Sequence, residues 1–289
     1  MKVSGFTFIR NALTYDYPVV EAITSILSLC DEFIVAVGKS DDNTLELVKG
    51  INSPKIKIIE TVWDDSLREG GKVLADETNK ALQAVSNDST WAFYIQADEC
   101  IHEEYLPAIK EAMLKWKGDK NVDGLLFNYK HFYGSYDYVG DSRRWYRNEI
   151  RIIRNDKAIT SYKDAQGFRK NGEKLKVKLI DATVYHYGWV KPPALQQAKL
   201  QVFNRLWHDE EWMKKNIKSA DEFDYSQIDS LVHFKGSHPA VMQQRIKNKN
   251  WKFSFDPTRK RLSLKLKILM AVERLTGWRI GEYRNYKSI

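Results

Sequence analysis

Residues 91–99, Trp-Ala-Phe-Tyr-Ile-Gln-Ala-Asp-Glu, decide the fold class of this 289-residue chain. The five apolar residues 91–95 form a continuous run, which is typical of a strand covered on both faces. The run leads into Asp98 and Glu99, and a helical apolar pattern follows over 106–116. The stretch therefore predicts a buried strand with two acids at its carboxyl end, followed by a helix.

The same pattern occurs three times before residue 91. Strand-like runs at 3–10, 33–37 and 56–62 alternate with helical patterns, which predicts a doubly wound, mostly parallel α/β sheet. In such sheets ligands bind beyond the carboxyl ends of the strands. Polar clusters follow all four strands at that edge: Arg10 and Asn11; Ser40, Asp41 and Asp42; Trp63, Asp64 and Asp65; and Asp98 with Glu99.

The pattern changes after residue 121. Residues 193–216 have a helical pattern, and from about residue 238 the chain is basic and helical. We therefore expect a catalytic α/β domain over 1–235 and a basic helical extension over 236–289. Strand-like segments predict a mixed-sheet extension of the α/β domain: 123–133, 149–154 and 175–187.

Composition narrows the class of protein. Two cysteines, Cys30 and Cys100, provide no disulfide framework and no zinc site, which fits a reduced, cytoplasmic setting. The first residues form a strand pattern rather than a signal sequence, and no apolar run is long enough to span a bilayer. The formal net charge of +8 suits nucleic acid, a membrane surface or a phosphorylated substrate.

Several motifs stand in the order and spacing of a known family. Together they resemble the inverting family 2 glycosyltransferases with the GT-A fold, and they are similar to the lipopolysaccharide-core branch, whose fourth strand ends in Asp-Ala-Asp-Glu. The resemblance extends over residues 1–130, and the final quarter of the chain has no clear counterpart. The motifs are FTFIRNA (6–12), YDYPVVEAITSIL (15–27), VGKSDDNT (37–44), VWDD (62–65) and WAFYIQADE (91–99).

The resemblance implies a GT-A-like fold and transfer of a sugar from a nucleotide-diphosphate donor to a cell-surface glycan or a lipid-linked acceptor. It implies that a divalent metal, Mn²⁺ or Mg²⁺, contacts Asp98 with the support of Glu99. Carboxylate oxygens suit such hard cations, which stabilise the charge on a departing diphosphate. The residues expected around the donor are Arg10, Asn11, Ser40, Asp41, Asp42, Trp63 and Asp64.

The sequence departs from the family at two places. The first acid of the Asp-x-Asp pattern is replaced by Gln96, which can hydrogen-bond a ribose but carries no charge. The acidic pair that holds the base is replaced by Val37 and Gly38. A simpler interpretation of the acids also stands, in which Asp98 caps the following helix and Glu99 is solvated.

An inverting transfer needs a base near the anomeric carbon, and Asp164 in the turn-like segment 161–169 is our candidate. Asp181 and Asp141 are weaker rivals, and Asp164 could instead be a surface-loop acid. GT-A enzymes often supply a late histidine to the metal, and His186 is placed to do so, although a structural histidine is an alternative.

Basic residues suggest two further contacts. Arg143 and Arg144, beside two aromatic residues, could pair with the diphosphate, or form a solvated loop. The basic stretch 245–267 could lie on an anionic membrane, at the inner face where lipid-linked acceptors reside. Its leucines fit both a strand and a helix face, so the pattern does not settle its structure.

Three other functions compete with a transferase. A nucleotidyltransferase would keep the fold, but the first strand lacks a Gly-rich basic loop for a triphosphate. A nucleic-acid-binding protein would need basic residues at the ligand edge, where this sequence gathers acids. A non-catalytic nucleotide-sugar binder would be consistent with Gln96. We therefore predict a nucleotide-sugar partner and no nucleic acid.

Overall fold

A computed structural model describes residues 1–64, 66–67, 69–208, 210–216 and 220–289, so Asp65 of the third polar cluster lies outside the described residues. The predicted α/β class, a parallel sheet with a mixed extension, is confirmed. The strands are β1 (Val3–Ile9), β2 (Glu32–Gly38), β3 (Ile56–Thr61), β4 (Trp91–Tyr94), β5 (Glu99–Ile101), β6 (Gly124–Tyr133), β7 (Ser135–Gly140), β8 (Asn148–Arg154), β9 (Ile159–Tyr162), β10 (Gly167–Lys170), β11 (Glu173–Lys174), β12 (Lys176–Trp189), β13 (Leu231–His233) and β14 (Lys287–Ser288).

Helices follow the strands of the first half and cover the sheet on both faces. Those of the first half are α1 (Val19–Leu27), α2 (Thr44–Lys49), α3 (Lys72–Gln83) and α4 (Leu106–Trp116), and the second half adds α5 (Pro193–Arg205), α6 (Glu210–Asn216), α7 (Gln243–Lys247) and α8 (Leu264–Thr276).

One half of the large sheet is parallel and the other half is mixed. Its order is β13-β7-β6-β8-β4-β1-β2-β3, and β12 pairs with β6, β5 and β14. The strands β3, β2, β1 and β4 run parallel, whereas β8 is antiparallel to both β4 and β6. A separate small antiparallel sheet, β9-β10-β11, presents the turn 163–166.

The apolar run of β2 shows why the parallel half is stable. Every residue of the strand is buried, and alternate side chains enter two different clusters. Phe33 and Val35 pack with Ile23 of α1, whereas Ile34 packs with Ala81 of α3. Each fully buried aliphatic side chain of this kind contributes about 1.5–3 kcal/mol of transfer free energy.

The start of α1 differs from the usual N-cap expected of an Asp-x-Pro sequence. The helix begins at Val19, and Asp16 has a φ of 49°, so Asp16 does not cap it. Its carboxylate instead forms an ion pair with Arg245 of α7, which also binds Glu21. Part of the positive charge in the late basic stretch is therefore neutralised inside the molecule.

The C-terminal segment packs onto the sheet. Strand β14 lies parallel to β12, and Glu273 of α8 pairs with Arg143. Residues 248–263 form no helix, and the helical pattern of 193–216 is divided between α5 and α6. The domain boundary at residue 235 stays a prediction. Within the described ranges, no helix has the length and apolar character needed to cross a bilayer.

Candidate functional site

A cavity of about 520 Å³ opens at the carboxyl ends of the parallel strands. Each of the four polar clusters predicted from the sequence contributes at least one residue to it. Eight of the fourteen sequence-predicted site residues line the cavity: Arg10, Asn11, Asp41, Trp63, Gln96, Asp98, Asp164 and His186. A volume of this size accommodates a small-molecule or cofactor ligand.

Asp98 lines the cavity and is paired with Lys199, which was not among the predicted site residues. Lys199 of α5 donates a hydrogen bond from Nζ to Asp98 Oδ2 at 3.1 Å and another to the Gly188 carbonyl at 3.1 Å. Burial alone would raise the pKa of the Asp98 carboxyl, but the ammonium groups of Lys199 and Lys191 hold this pKa well below its usual range. Asp98 is therefore an anion at neutral pH.

His186 presents a bare lone pair to the same carboxylate. The Tyr146 carbonyl lies 2.9 Å from His131 Nε2 and can only accept, so His131 carries its proton on Nε2. Burial, followed by the nearby His186, lowers the pKa of His131 to about 3, so His131 Nδ1 is unprotonated. It accepts from His186 Nδ1 at 3.1 Å.

The second nitrogen of His186 is consequently an acceptor. Burial lowers the pKa of His186 despite the opposing charge of Asp98, so the ring is neutral and Nε2 has no proton. This nitrogen lies 3.8 Å from Asp98 Oδ1. Two electron-pair donors thus face each other with no proton between them, which is the donor set of a cation site.

Gly188 keeps the space between these two groups open. A Cβ at this position would lie 2.6 Å from His186 Nε2 and 2.8 Å from Asp98 Oδ2. The residues present therefore fit a divalent cation held by Asp98 and His186, with its other positions open to phosphate oxygens. Among the described residues, no group of three or more His, Cys, Asp or Glu side chains forms a metal site by itself.

Glu99 has a different role from the one predicted, and its placement corrects the metal assignment. Its two carboxylate oxygens each accept a hydrogen bond from the Arg151 guanidinium at 2.7 Å. Tyr129 Oη and the Gln96 backbone N–H also donate to it. The side chain is fully buried and does not line the cavity, so Glu99 anchors the segment that carries Asp98 instead of binding a ligand.

Arg143 and Arg144 do not lie over the cavity, which contradicts their predicted contact with a diphosphate. Arg143 donates to Glu273 at 2.6 Å and also to the Ile280 carbonyl, and so attaches the C-terminal segment. The Arg144 guanidinium lies 5.8 Å from the centre of the Trp145 ring. A basic pair in sequence does not specify which acid folds against it.

Asp42 and Asp64, which were also predicted to contact the nucleotide-sugar donor, do not line the cavity. Asp42 accepts from the Thr44 backbone N–H at 2.9 Å and from the Thr14 N–H at 2.8 Å, which fastens the start of α2 to the loop after β1. Asp64 is exposed and accepts from Ser66 in a local turn. Short polar side chains near helix starts commonly satisfy backbone donors in this way.

The loop after β1 is fixed to the loop after β2. Asn11 adopts a φ of 54°, and its Oδ1 accepts from the Asp41 backbone N–H at 2.8 Å. Ser40 Oγ accepts from the Asn11 N–H at 3.0 Å, so Ser40 positions the loop and does not itself line the cavity. Arg10 lies 5.4 Å from the centre of the Trp63 ring, which places a cation and an aromatic face on one wall.

Asp164 is held in the turn between β9 and β10, opposite the strand ends. Gln96 Nε2 donates to the Ala165 carbonyl at 3.5 Å, and Gly71 leaves room for the Asp164 Cβ, which would lie 2.9 Å from a Cβ at residue 71. Burial raises the pKa of the Asp164 carboxyl above its ordinary value, although backbone N–H groups and Lys163 oppose the shift. An acid with a raised pKa in a cavity suits proton transfer.

Sequence reasoning missed four residues of this site. Lys199 was part of a polar helical pattern without a motif, and the contact between His131 and His186 joins neighbouring strands. Arg151 alternates with apolar residues in β8, where a buried charge implies a buried partner. Gly188, two residues after His186, was a further detectable signal, because a glycine beside a candidate ligand often marks a close approach.

Two comparisons with known proteins gave no match. No protein-family model matches the chain, and no curated protein is similar to it in sequence.

A comparison with solved structures finds chains that are similar to part of this chain at low sequence identity. Staphylococcus aureus TarS is 17% identical over 76% of this chain and 41% of its own length, with a TM-score of 0.42. A truncated TarS in complex with UDP covers 71% of this chain and 65% of its own length, also with a TM-score of 0.42. Glucosyl-3-phosphoglycerate synthase from Mycobacterium tuberculosis, in complex with Mn²⁺, UDP and its product, is 17% identical over 46% of this chain and 44% of its own, with a TM-score of 0.30.

A further similar structure has another activity in its name. The 4-diphosphocytidyl-2C-methyl-D-erythritol synthase from Anaerococcus prevotii is 14% identical over 70% of this chain and 94% of its own, with a TM-score of 0.39. The chain spans less than half the length of the full TarS chain.

Proposed function

We propose that this protein is an inverting glycosyltransferase that moves a sugar from a nucleotide-diphosphate donor to a glycan or lipid-linked acceptor. One observation carries the proposal. The Asp98 carboxylate and the neighbouring His186 imidazole share a cavity with a buried acid of raised pKa, Asp164. Sugar transfer from a diphosphate needs both elements: one for the leaving phosphate and one for the proton of the acceptor.

The cavity lining suits both parts of a nucleotide sugar. Arg10, Lys199 and Arg205 supply cationic groups for a diphosphate. Aromatic rings suit the apolar faces of a base or a sugar, and several line the same cavity: Tyr15, Tyr17, Trp63, Tyr146, Trp189 and Phe203.

The chain's own groups divide the chemistry between them. Asp164 accepts the proton of the acceptor hydroxyl as that oxygen forms its bond to the anomeric carbon and the bond to the diphosphate breaks. Lys199 and Arg10 stabilise the charge left on the phosphate oxygens. A divalent cation, Mn²⁺ or Mg²⁺, would be held by Asp98 and His186 and would neutralise part of that charge.

Gln96 fits this scheme although it carries no charge. Its amide donates to the Ala165 carbonyl, which a carboxylate at the same position could not do. We infer that Gln96 maintains the turn that carries Asp164. The replacement of the family's first acid by Gln96 then changes how the turn that carries Asp164 is held. The proposed cation ligands, Asp98 and His186, are other residues.

A ligand panel tests the proposal. Thermal unfolding is measured with nucleotide-diphosphate sugars, with and without Mn²⁺, because a ligand that binds the native state raises its stability. We expect at least one donor to raise the melting temperature with Mn²⁺, and the Asp98→Ala variant to lose the increase that Mn²⁺ adds. Stabilisation by nucleoside triphosphates alone, with release of pyrophosphate on turnover, would instead indicate nucleotidyl transfer.

The acceptor and the cellular location belong to the same proposal. A lipid-linked acceptor would place the reaction at the inner face of a membrane, with the protein in the cytoplasm. Incubation of the enzyme and donor with lipid-linked and with water-soluble glycan acceptors, followed by mass spectrometry of the products, distinguishes the two acceptor classes.

A further inference from the structure

Helix α8 carries a row of apolar side chains that face solvent. Leu264, Ile268, Ala271 and Leu275 are exposed, and their spacing of four, three and four residues places them on one side of the helix. Leu264 is 75% exposed and Leu275 is 85% exposed. We call these four residues, with Trp278 just beyond the helix, the outer stripe.

The opposite side of α8 is occupied by the rest of the protein. Leu266 and Leu269 are partly buried, and Glu273 forms ion pairs with Arg143 and Arg147. The orientation of the helix is therefore set by contacts on its inner side. The outer stripe is left facing away from the sheet by the same contacts.

The flanks of the outer stripe are cationic. At about 100° per residue, Lys265 lies on one side of the stripe, and Lys267 and Arg274 lie on the other. All three are exposed. Glu273 is the only acid in the helix sequence and is on the inner side, so no acid of α8 offsets these charges.

We infer that the outer stripe docks onto the surface of an anionic lipid bilayer. The apolar side chains would enter the boundary between headgroups and acyl chains, and the three basic residues would lie at the level of the anionic headgroups. Trp278, which is 62% exposed, has the amphipathic ring that favours this boundary.

Charge distinguishes a bilayer from a second copy of the chain. Two copies packed through the outer stripe would bring Lys265, Lys267 and Arg274 of each helix against the same cations of the other, without an acid between them. Like charges at that distance oppose association. An anionic membrane complements the stripe and its flanks together.

Vesicle co-sedimentation tests the inference with the 289-residue protein. We expect binding to vesicles of phosphatidylcholine mixed with phosphatidylglycerol, little binding to phosphatidylcholine alone, and loss of binding at high salt. Replacing Leu264, Ile268 and Leu275 together by Gln should lower the bound fraction about tenfold or more. The matched control is Leu179→Gln, which changes a leucine that is 54% exposed outside the stripe.

A second pair of variants separates charge from apolar contact. Replacing Lys265, Lys267 and Arg274 by Gln should remove the preference for anionic vesicles, whereas replacing the exposed Lys110 and Lys120 should leave it intact. Equal binding by the stripe variant and the wild-type protein would overturn the inference. A wild-type dimer in analytical ultracentrifugation that the stripe variant abolishes would overturn it in favour of a second copy.

The vesicle assay is independent of the proposed transferase activity. Asp98→Ala should bind anionic vesicles as well as the wild-type protein does, because Asp98 lies in the cavity and not on α8. Membrane binding without donor binding would therefore contradict the proposed function alone, and donor binding without membrane binding would contradict this inference alone.

Discussion

His131 Nδ1 lies 3.1 Å from His186 Nδ1, so one proton bridges two imidazoles of neighbouring strands. The Tyr146 carbonyl sets the direction of this hydrogen bond, because a carbonyl oxygen can only accept and so requires a proton on His131 Nε2. His186 must then donate, and its second nitrogen faces Asp98 as a lone pair. Through the hydrogen bonds of the His131 and His186 rings, the Tyr146 carbonyl thus determines that the unprotonated Nε2 of His186 faces Asp98.

The first prediction concerns this relay. In His131→Phe the ring still packs beside Trp145, but it cannot accept from His186, so the tautomer of His186 is no longer fixed. We expect the affinity for Mn²⁺ in the presence of UDP to fall about 10–100-fold. This affinity is measured by electron paramagnetic resonance, which detects the free Mn²⁺. His233→Phe, at an exposed histidine, is the control, and an unchanged affinity in His131→Phe would reject the relay.

The second prediction concerns the space beside His186. In Gly188→Ala the new methyl group would lie within 3 Å of both His186 and Asp98 and would fill the space in which we propose that a cation binds. Isothermal titration with Mn²⁺ should show loss of the site, while circular dichroism shows a folded protein. In the control, Gly118→Ala, nothing lies within 4 Å of the added Cβ. Normal Mn²⁺ binding by Gly188→Ala would exclude the cation from this place.

The parallel half of the sheet could be predicted because continuous apolar runs alternate with helical patterns along the sequence. A strand such as β2, buried on both faces, leaves a continuous hydrophobic signal, and the polar residues after it must lie at the ligand edge. Asp98 and Asp41 were found in the cavity for that reason. The apolar run and the polar residues that follow it are both visible in the local sequence.

Long-range pairing could not be predicted in the same way. Glu99 looks like a ligand beside Asp98 until Arg151, 52 residues later, takes both of its oxygens. Lys199 reaches Asp98 from a helix 101 residues away. The partner of a buried charge depends on how distant elements pack, and a single sequence contains no direct record of that packing.

The third prediction concerns stability and pH. Burial raises the pKa of Glu149 from 4.5 to about 7, beside Asn285. The native state thus favours the protonated acid, so its stabilising effect is complete below pH 4.5 and is lost as the pH rises through about 7.

Glu149→Gln removes this titration. We expect the variant to exceed the wild-type protein in unfolding free energy by up to about 3 kcal/mol near pH 8, and to differ little near pH 4. Urea unfolding at the two pH values measures the difference, and the exposed Glu111→Gln serves as the control. A difference that does not depend on pH would show that Glu149 does not titrate in this range.

The fourth prediction concerns Asp164 as the base. Asp164→Asn keeps the size of the side chain in the turn after β9 but cannot accept the acceptor proton. We expect kcat for transfer to fall about 10²–10⁴-fold, while the Kd for the donor, measured by calorimetry, stays unchanged. In the wild-type enzyme kcat should rise with pH through the raised pKa of Asp164, since only the carboxylate is a base. Asp181→Asn, at an exposed position, provides the matched control. If Asp164→Asn lost donor affinity and kept its kcat, the residue would bind the donor, and the proton would have to leave through another group.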